Sequence, residues 1–170
     1  FLQEILKRGM KSIAHGIFWD PVLVTMCQDA GVGAWMKVRL GGKICAESGE
    51  AVDLEVTVRA IRENMTQRLG ETEMPMGTGV WLDMDGLHLV VSSLSTQNFS
   101  PSVYTDLGMD ITQMKVLIPK SSNHFYQNFE KISPHVIHVR SPGTVTPDMT
   151  IIPYTKRDGN YWPKVENPFT

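Results

Sequence analysis

The sequence predicts an α/β or α+β domain, built as a mixed sheet with flanking helices and an antiparallel β block in its middle. Two observations carry this. Apolar strand-like runs are followed at once by helix starts near both ends of the chain, at residues 12–31 and 114–132. Between them lie runs of alternating polar and apolar residues joined by tight-turn dipeptides.

Residues 1–10 read as a helix with Leu2, Ile5 and Leu6 on one face, ended near Gly9. Residues 12–19 are an apolar strand. Asp20-Pro21 is a strong helix start, with Asp at the N-cap and Pro at the first helical position, and the helix runs to Gly31. Residues 34–40 alternate around Trp35, Met36, Val38 and Leu40 before the Gly41-Gly42 turn. Alternation returns at 53–61. Residues 79–84 and 87–94 flank Asp85-Gly86, a dipeptide that favours a type I′ hairpin. The polar stretch 63–76 between these strands is expected to be an exposed loop.

The last third returns to α/β character. Ser100-Pro101 opens a short helix that Gly108 ends, and 114–119 is read as a buried strand. A helix with Phe125, Phe129 and Ile132 on one face follows, stopped by Ser133-Pro134. Residues 136–139 are expected to form a further short strand. Beyond Ser141 the chain is Pro-rich and irregular, with Pro142, Pro147, Pro153, Pro163 and Pro168. Trp19, Trp35, Trp81 and Trp162 are expected to pack in the core or at strand edges.

The 170 residues, 42% hydrophobic, suffice for one core, so residues 1–170 are taken as a single domain. A net charge of −2 and the lack of any basic block speak against a nucleic-acid partner. No apolar run is long enough to cross a bilayer and no signal pattern is present, so no membrane partner and a cytoplasmic location are expected. Cys27 and Cys45 are widely spaced and read as reduced thiols. Phe1 falls inside an amphipathic pattern with no cap before it, which suggests a segment excised from a longer chain.

Chemistry concentrates at Lys120-Ser121-Ser122-Asn123-His124-Phe125. Either serine is a natural N-cap for the helix that follows. Lys120 would add a positive charge and His124 a group that titrates near neutrality. A basic, polar strand-to-helix junction suits an anionic ligand group, so Lys120, Ser121, Ser122 and His124 are the candidate substrate- or anion-binding residues. Elsewhere the signals are thin. His15, His88, His124, His135 and His138 show no HExxH spacing, and no GxSxG, Walker or GxGxxG motif occurs. Asp83 and Asp85 read as hairpin-tip residues, and Asp106 and Asp110 as helix-end solvation. No catalytic set and no metal site are expected in this segment.

Several stretches, in order, resemble the C-terminal domain of the microcystinase C-like (MlrC) family. They are Gly16-Ile17-Phe18-Trp19-Asp20-Pro21, Ala30-Gly31-Val32-Gly33-Ala34, Gly41-Gly42-Lys43, the Lys120 to Phe125 motif, Ser141-Pro142-Gly143, Thr146-Pro147-Asp148-Met149 and Ile152-Pro153-Tyr154. Tyr161-Trp162-Pro163 fits as well. The resemblance implies a zinc metallopeptidase whose type member hydrolyses linear peptide products of microcystins. Its metal ligands would lie in an N-terminal domain absent here, so the segment itself would bind no cofactor. The implied partners are a peptide or small amide substrate and that N-terminal domain. Lys120, Ser121, Ser122 and His124 would then face the metal across a cleft. Pro119 departs from the aliphatic residue more usual in the family and is expected to fray the last ladder bond. A non-catalytic module binding a small anion or peptide terminus, or a structural or dimerising domain forming a homo-oligomer, is the alternative.

Overall fold

The computed structural model describes all residues except 142, 144, 147 and 170. Helix α1 (Leu2–Lys7) leads to strand β1 (Ile13–Trp19) and helix α2 (Pro21–Ala30), whose first turn is capped by Asp20 accepting from the Leu23 N–H at 3.1 Å. Strands β2 (Trp35–Leu40), β3 (Val52–Leu69), β4 (Thr72–Met84) and β5 (Leu87–Ser92) follow, then α3 (Ser102–Thr105), β6 (Val116–Pro119) and α4 (Tyr126–Phe129). The six strands form one sheet in the order β2-β3-β4-β5-β1-β6. From β2 to β5 the pairing is antiparallel, and β1 runs parallel to both β5 and β6. This is the mixed sheet with flanking helices and a central antiparallel block that the sequence predicts.

Each face of the sheet is covered by its own helices. Helices α1 and α2 bury Leu2, Ile5, Leu23, Val24 and Cys27 against Val56, Val58, Leu82 and Leu89. On the opposite face Val103, Tyr104, Phe125 and Phe129 pack against Ala14, Ile17, Met76 and Val90. The β4–β5 turn has Asp85 at φ 48° and Gly86 at φ 87°, the two left-handed residues that a type I′ hairpin demands. Among the described residues no helix is long and apolar enough to cross a membrane.

Several expectations are corrected. Residues 63–76 are not a loop: β3 and β4 run through this region as a bulged antiparallel ladder and turn back at Gly70-Glu71. Met65, Gln67 and Met76 are buried there, and the ladder shifts register around Asn64, itself at φ 52°. A buried glutamine, satisfied by hydrogen bonds, hides the alternation that would have marked the strand. Strand β6 is an edge strand, partly exposed rather than buried. Residues 136–139 join no ladder, and Ile137 and Val139 are exposed. The helix after Phe125 is a single turn, and Ile132 lies outside it and is exposed. Of the tryptophans only Trp81 packs against a core; Trp19, Trp35 and Trp162 are exposed. The irregular tail is found as expected, although Pro142 and Pro147 lie outside the described residues.

Candidate functional site

Strands β1, β5 and β6 run parallel; β1 and β5 end level at Trp19 and Ser92, and β6 stops three positions short, at Pro119 opposite Gly16, so the loops that leave them lie toward one edge of the sheet. Helix α2 departs from β1 toward one face, while α3, after β5, packs on the other. The carboxyl ends of parallel strands, where flanking helices diverge, are the usual ligand position in open α/β sheets. Lys120-Ser121-Ser122 sits there.

The turn is anchored on both sides. Pro119 pairs in register with Gly16, and the Lys120 N–H donates to the Gly16 carbonyl at 2.7 Å. The ladder therefore extends one bond past the proline instead of fraying at it. The Lys120 carbonyl in turn accepts from the Asn98 N–H at 3.0 Å. Neither serine caps a helix, because α4 begins only at Tyr126 and has no side-chain cap. The serines serve Gln97 instead. Its Oε1 accepts from Ser121 Oγ at 2.9 Å, from the Ser122 N–H at 3.1 Å and from Ser122 Oγ at 3.4 Å. A one-turn helix has little dipole to offer an anion, which leaves the charge of Lys120 as the attraction at this turn.

Lys120 and His124 share this loop but have different surroundings. The Lys120 side chain is exposed and forms no ion pair among the described residues. The exposed His124 ring stands edge-on to Phe99, with centroids 5.9 Å apart.

Beneath the turn lies a polar layer that the sequence did not reveal. Gln67, buried on β3, donates from Nε2 to the Gln97 carbonyl at 2.6 Å and accepts the Phe99 N–H on Oε1 at 2.8 Å. Asn128 Nδ2 donates to the Phe99 carbonyl at 2.9 Å. Asn98 is wholly buried; its Nδ2 reaches the Gly16 carbonyl at 3.5 Å, and its Oδ1 meets no donor among the described residues. The one available signal was Gln67, an inward position in the alternating run Met65-Thr66-Gln67.

His15 adds a titratable group beside the same strands. It is buried, its Nδ1–H donates to the Ile118 carbonyl at 3.1 Å, and its ring meets Phe18 edge-on. Burial lowers its pKa to about 4; the Ile118 hydrogen bond opposes this, and the amino terminus and Lys120 reinforce it. Above pH 6.5 the imidazole is neutral in folded and unfolded chains alike, and stability is at its full value. Between 6.5 and 4 only the unfolded chain takes up the proton, so stability falls with pH. The loss attributable to His15 between pH 7.5 and pH 5 is expected to be about 2 kcal/mol. Urea unfolding of the wild type and His15→Phe at both pH values tests this. Equal pH dependence in the two proteins would remove His15 as the cause.

The profile of the MlrC C-terminus family matches residues 1–156. This chain belongs to the MlrC C-terminus family. It is similar to Microcystinase C from Sphingomonas sp, with 31% identity over 148 residues, which cover 87% of this chain and 28% of that protein. A crystal structure described as a "putative metallopeptidase" from Mesorhizobium sp. BNC1 shares the fold, with a TM-score of 0.74 at 22% identity. That match covers 84% of this chain and 29% of the other. The chain therefore spans less than a third of the length of either relative.

In this MlrC C-terminal domain the side chains of the described residues do not fit a zinc centre. Among the described residues no group of three or more His, Cys, Asp or Glu is placed to hold a metal. His15 is committed to Ile118, and His88 Nδ1 accepts from Trp81 Nε1 at 3.2 Å. His138 stacks on Tyr126. Cys27 is a free, buried thiol, pushed up to about 11 by burial and then by Asp20, so it is not a ready thiolate ligand. Asp20 is held by the Leu23 N–H and by Lys43 Nζ at 2.5 Å.

Proposed function

We propose that this chain is the C-terminal part of a zinc-dependent metallopeptidase or amide hydrolase, and that it lines the substrate cleft where it meets a metal-bearing N-terminal domain. The match of residues 1–156 to the MlrC C-terminus family carries this reading. The ammonium of Lys120, which forms no ion pair among the described residues and lies on a turn pinned at the carboxyl end of β6, supports it. Peptide substrates bring carboxylates, and a lysine on a fixed turn holds such a group by a charge-assisted hydrogen bond. In this reading the bond-breaking chemistry belongs to the other domain, and this chain binds and orients the substrate.

The test compares two proteins. The longer protein containing this segment should hydrolyse a linear peptide, lose that activity to a chelator and regain it with zinc. Residues 1–170 alone should retain no stoichiometric zinc after mild chelation. A tightly held zinc on the segment, or hydrolysis indifferent to chelation, would sink the proposal.

A further inference from the structure

Gln97 does more than the turn requires. The Ser122 N–H can only donate, so the Gln97 atom it meets at 3.1 Å is the carbonyl oxygen, which fixes which end of the amide is Nε2. Ser121 Oγ and Ser122 Oγ converge on the same oxygen. The Gln97 main chain is held as firmly, its carbonyl by Gln67 Nε2 and the flanking Asn98 and Phe99 N–H groups by the Lys120 carbonyl and Gln67 Oε1. Holding the turn needs only an acceptor, which a glutamate would also provide. The amide brings two further donors, and Nε2 meets no partner among the described residues on this half-buried side chain.

We propose that Gln97 is a ligand-binding residue of this site, with its Nε2–H donating to a carboxylate oxygen of a bound peptide. The inference rests on the reading of the Lys120 turn as a substrate-holding loop and adds a donor that the turn itself does not contain. The donor is already oriented before binding, because three hydrogen bonds at the opposite end of the same amide hold its plane. Binding then orders little that was free.

The discriminating variant is Gln97→Glu. Its carboxylate still accepts from both serines, so the fold is kept. It replaces the donor with a negative charge that repels an incoming carboxylate. The chain is titrated with N-acetylglycine while the side-chain amide pair of Gln97, assigned by its disappearance in the variant, is followed by nitrogen-15 NMR. The wild type should show a saturable shift of that pair, and Gln97→Glu should bind about tenfold more weakly at a nearly unchanged melting temperature. Absence of binding by the wild type, shifts at Lys120 and Ser122 without one at the Gln97 amide, or equal affinity in the variant would each overturn the proposal. The amide shift is read on the wild type, so it decides even if the variant folds poorly. Failure of the peptidase reading would appear separately, as a longer protein that binds the carboxylate but cleaves no peptide.

Discussion

Gln67→Leu is expected to destabilise the chain by about 3 kcal/mol, although it replaces one side chain by another of similar size. Gln67 is 2% exposed and sits on β3, remote in sequence from the loop it supports. Leucine removes the donor from the Gln97 carbonyl and the acceptor from the Phe99 N–H. Phe99 is itself buried, so water cannot readily replace the lost partner. For a domain of this size the melting temperature should fall by about 6–12 °C, measurable by calorimetry. A drop of only a degree or two would mean that loop 96–99 is held by something other than this amide.

On the proposed peptidase reading, Lys120→Met in a longer protein carrying this segment is expected to lower kcat/KM toward a linear peptide by about ten- to a hundredfold. The melting temperature should barely move. The ammonium has no ion pair among the described residues, and the main-chain bonds to Gly16 and Asn98 do not depend on the side chain. Ser122→Ala is the control. With no helix cap to lose, it gives up only a 3.4 Å contact while the Ser122 N–H keeps Gln97, so it should cost less than about 0.5 kcal/mol. Unchanged kcat/KM in Lys120→Met, with metal content intact, would leave the turn as structural.

What could be read from the sequence was local. Asp20-Pro21 and Asp85-Gly86 dictate a helix start and a hairpin through their own backbone preferences, and both formed as expected. The sequence ends strand β3 near Ile61 because 63–76 is rich in Glu, Thr, Gln and Arg; the burial of Gln67 makes sense only once Gln97 and Phe99 are placed beside it. Residues 136–139 have strand-like side chains, but no strand of the sheet pairs with them, and composition cannot report that. The candidate residues Lys120, Ser121, Ser122 and His124 rest on their chemistry and on family resemblance. The helix-cap role given to the serines was wrong, since α4 starts four residues after Ser122. Gln97 and Asn98 were missed because Thr96-Gln97-Asn98 reads as an ordinary loop until β6 lies against it.

Strand order also bears on how the chain reaches this shape. Strands β3, β4 and β5 are neighbours joined by two-residue turns, so their pairing closes only short loops. Strand β1 must wait for partners at residues 87–92 and 116–119, with residues 20–86 and 20–115 in between. Closing those long loops costs entropy before any contact repays it. We therefore expect the meander to gain protection first and the β5-β1-β6 seam, which carries Lys120, to zip up last. Pulse-labelled amide exchange would contradict this if β1 and β6 were protected ahead of β4 and β5. A nascent or heat-stressed molecule would then lack the corner that carries Lys120 while most of its sheet still stood.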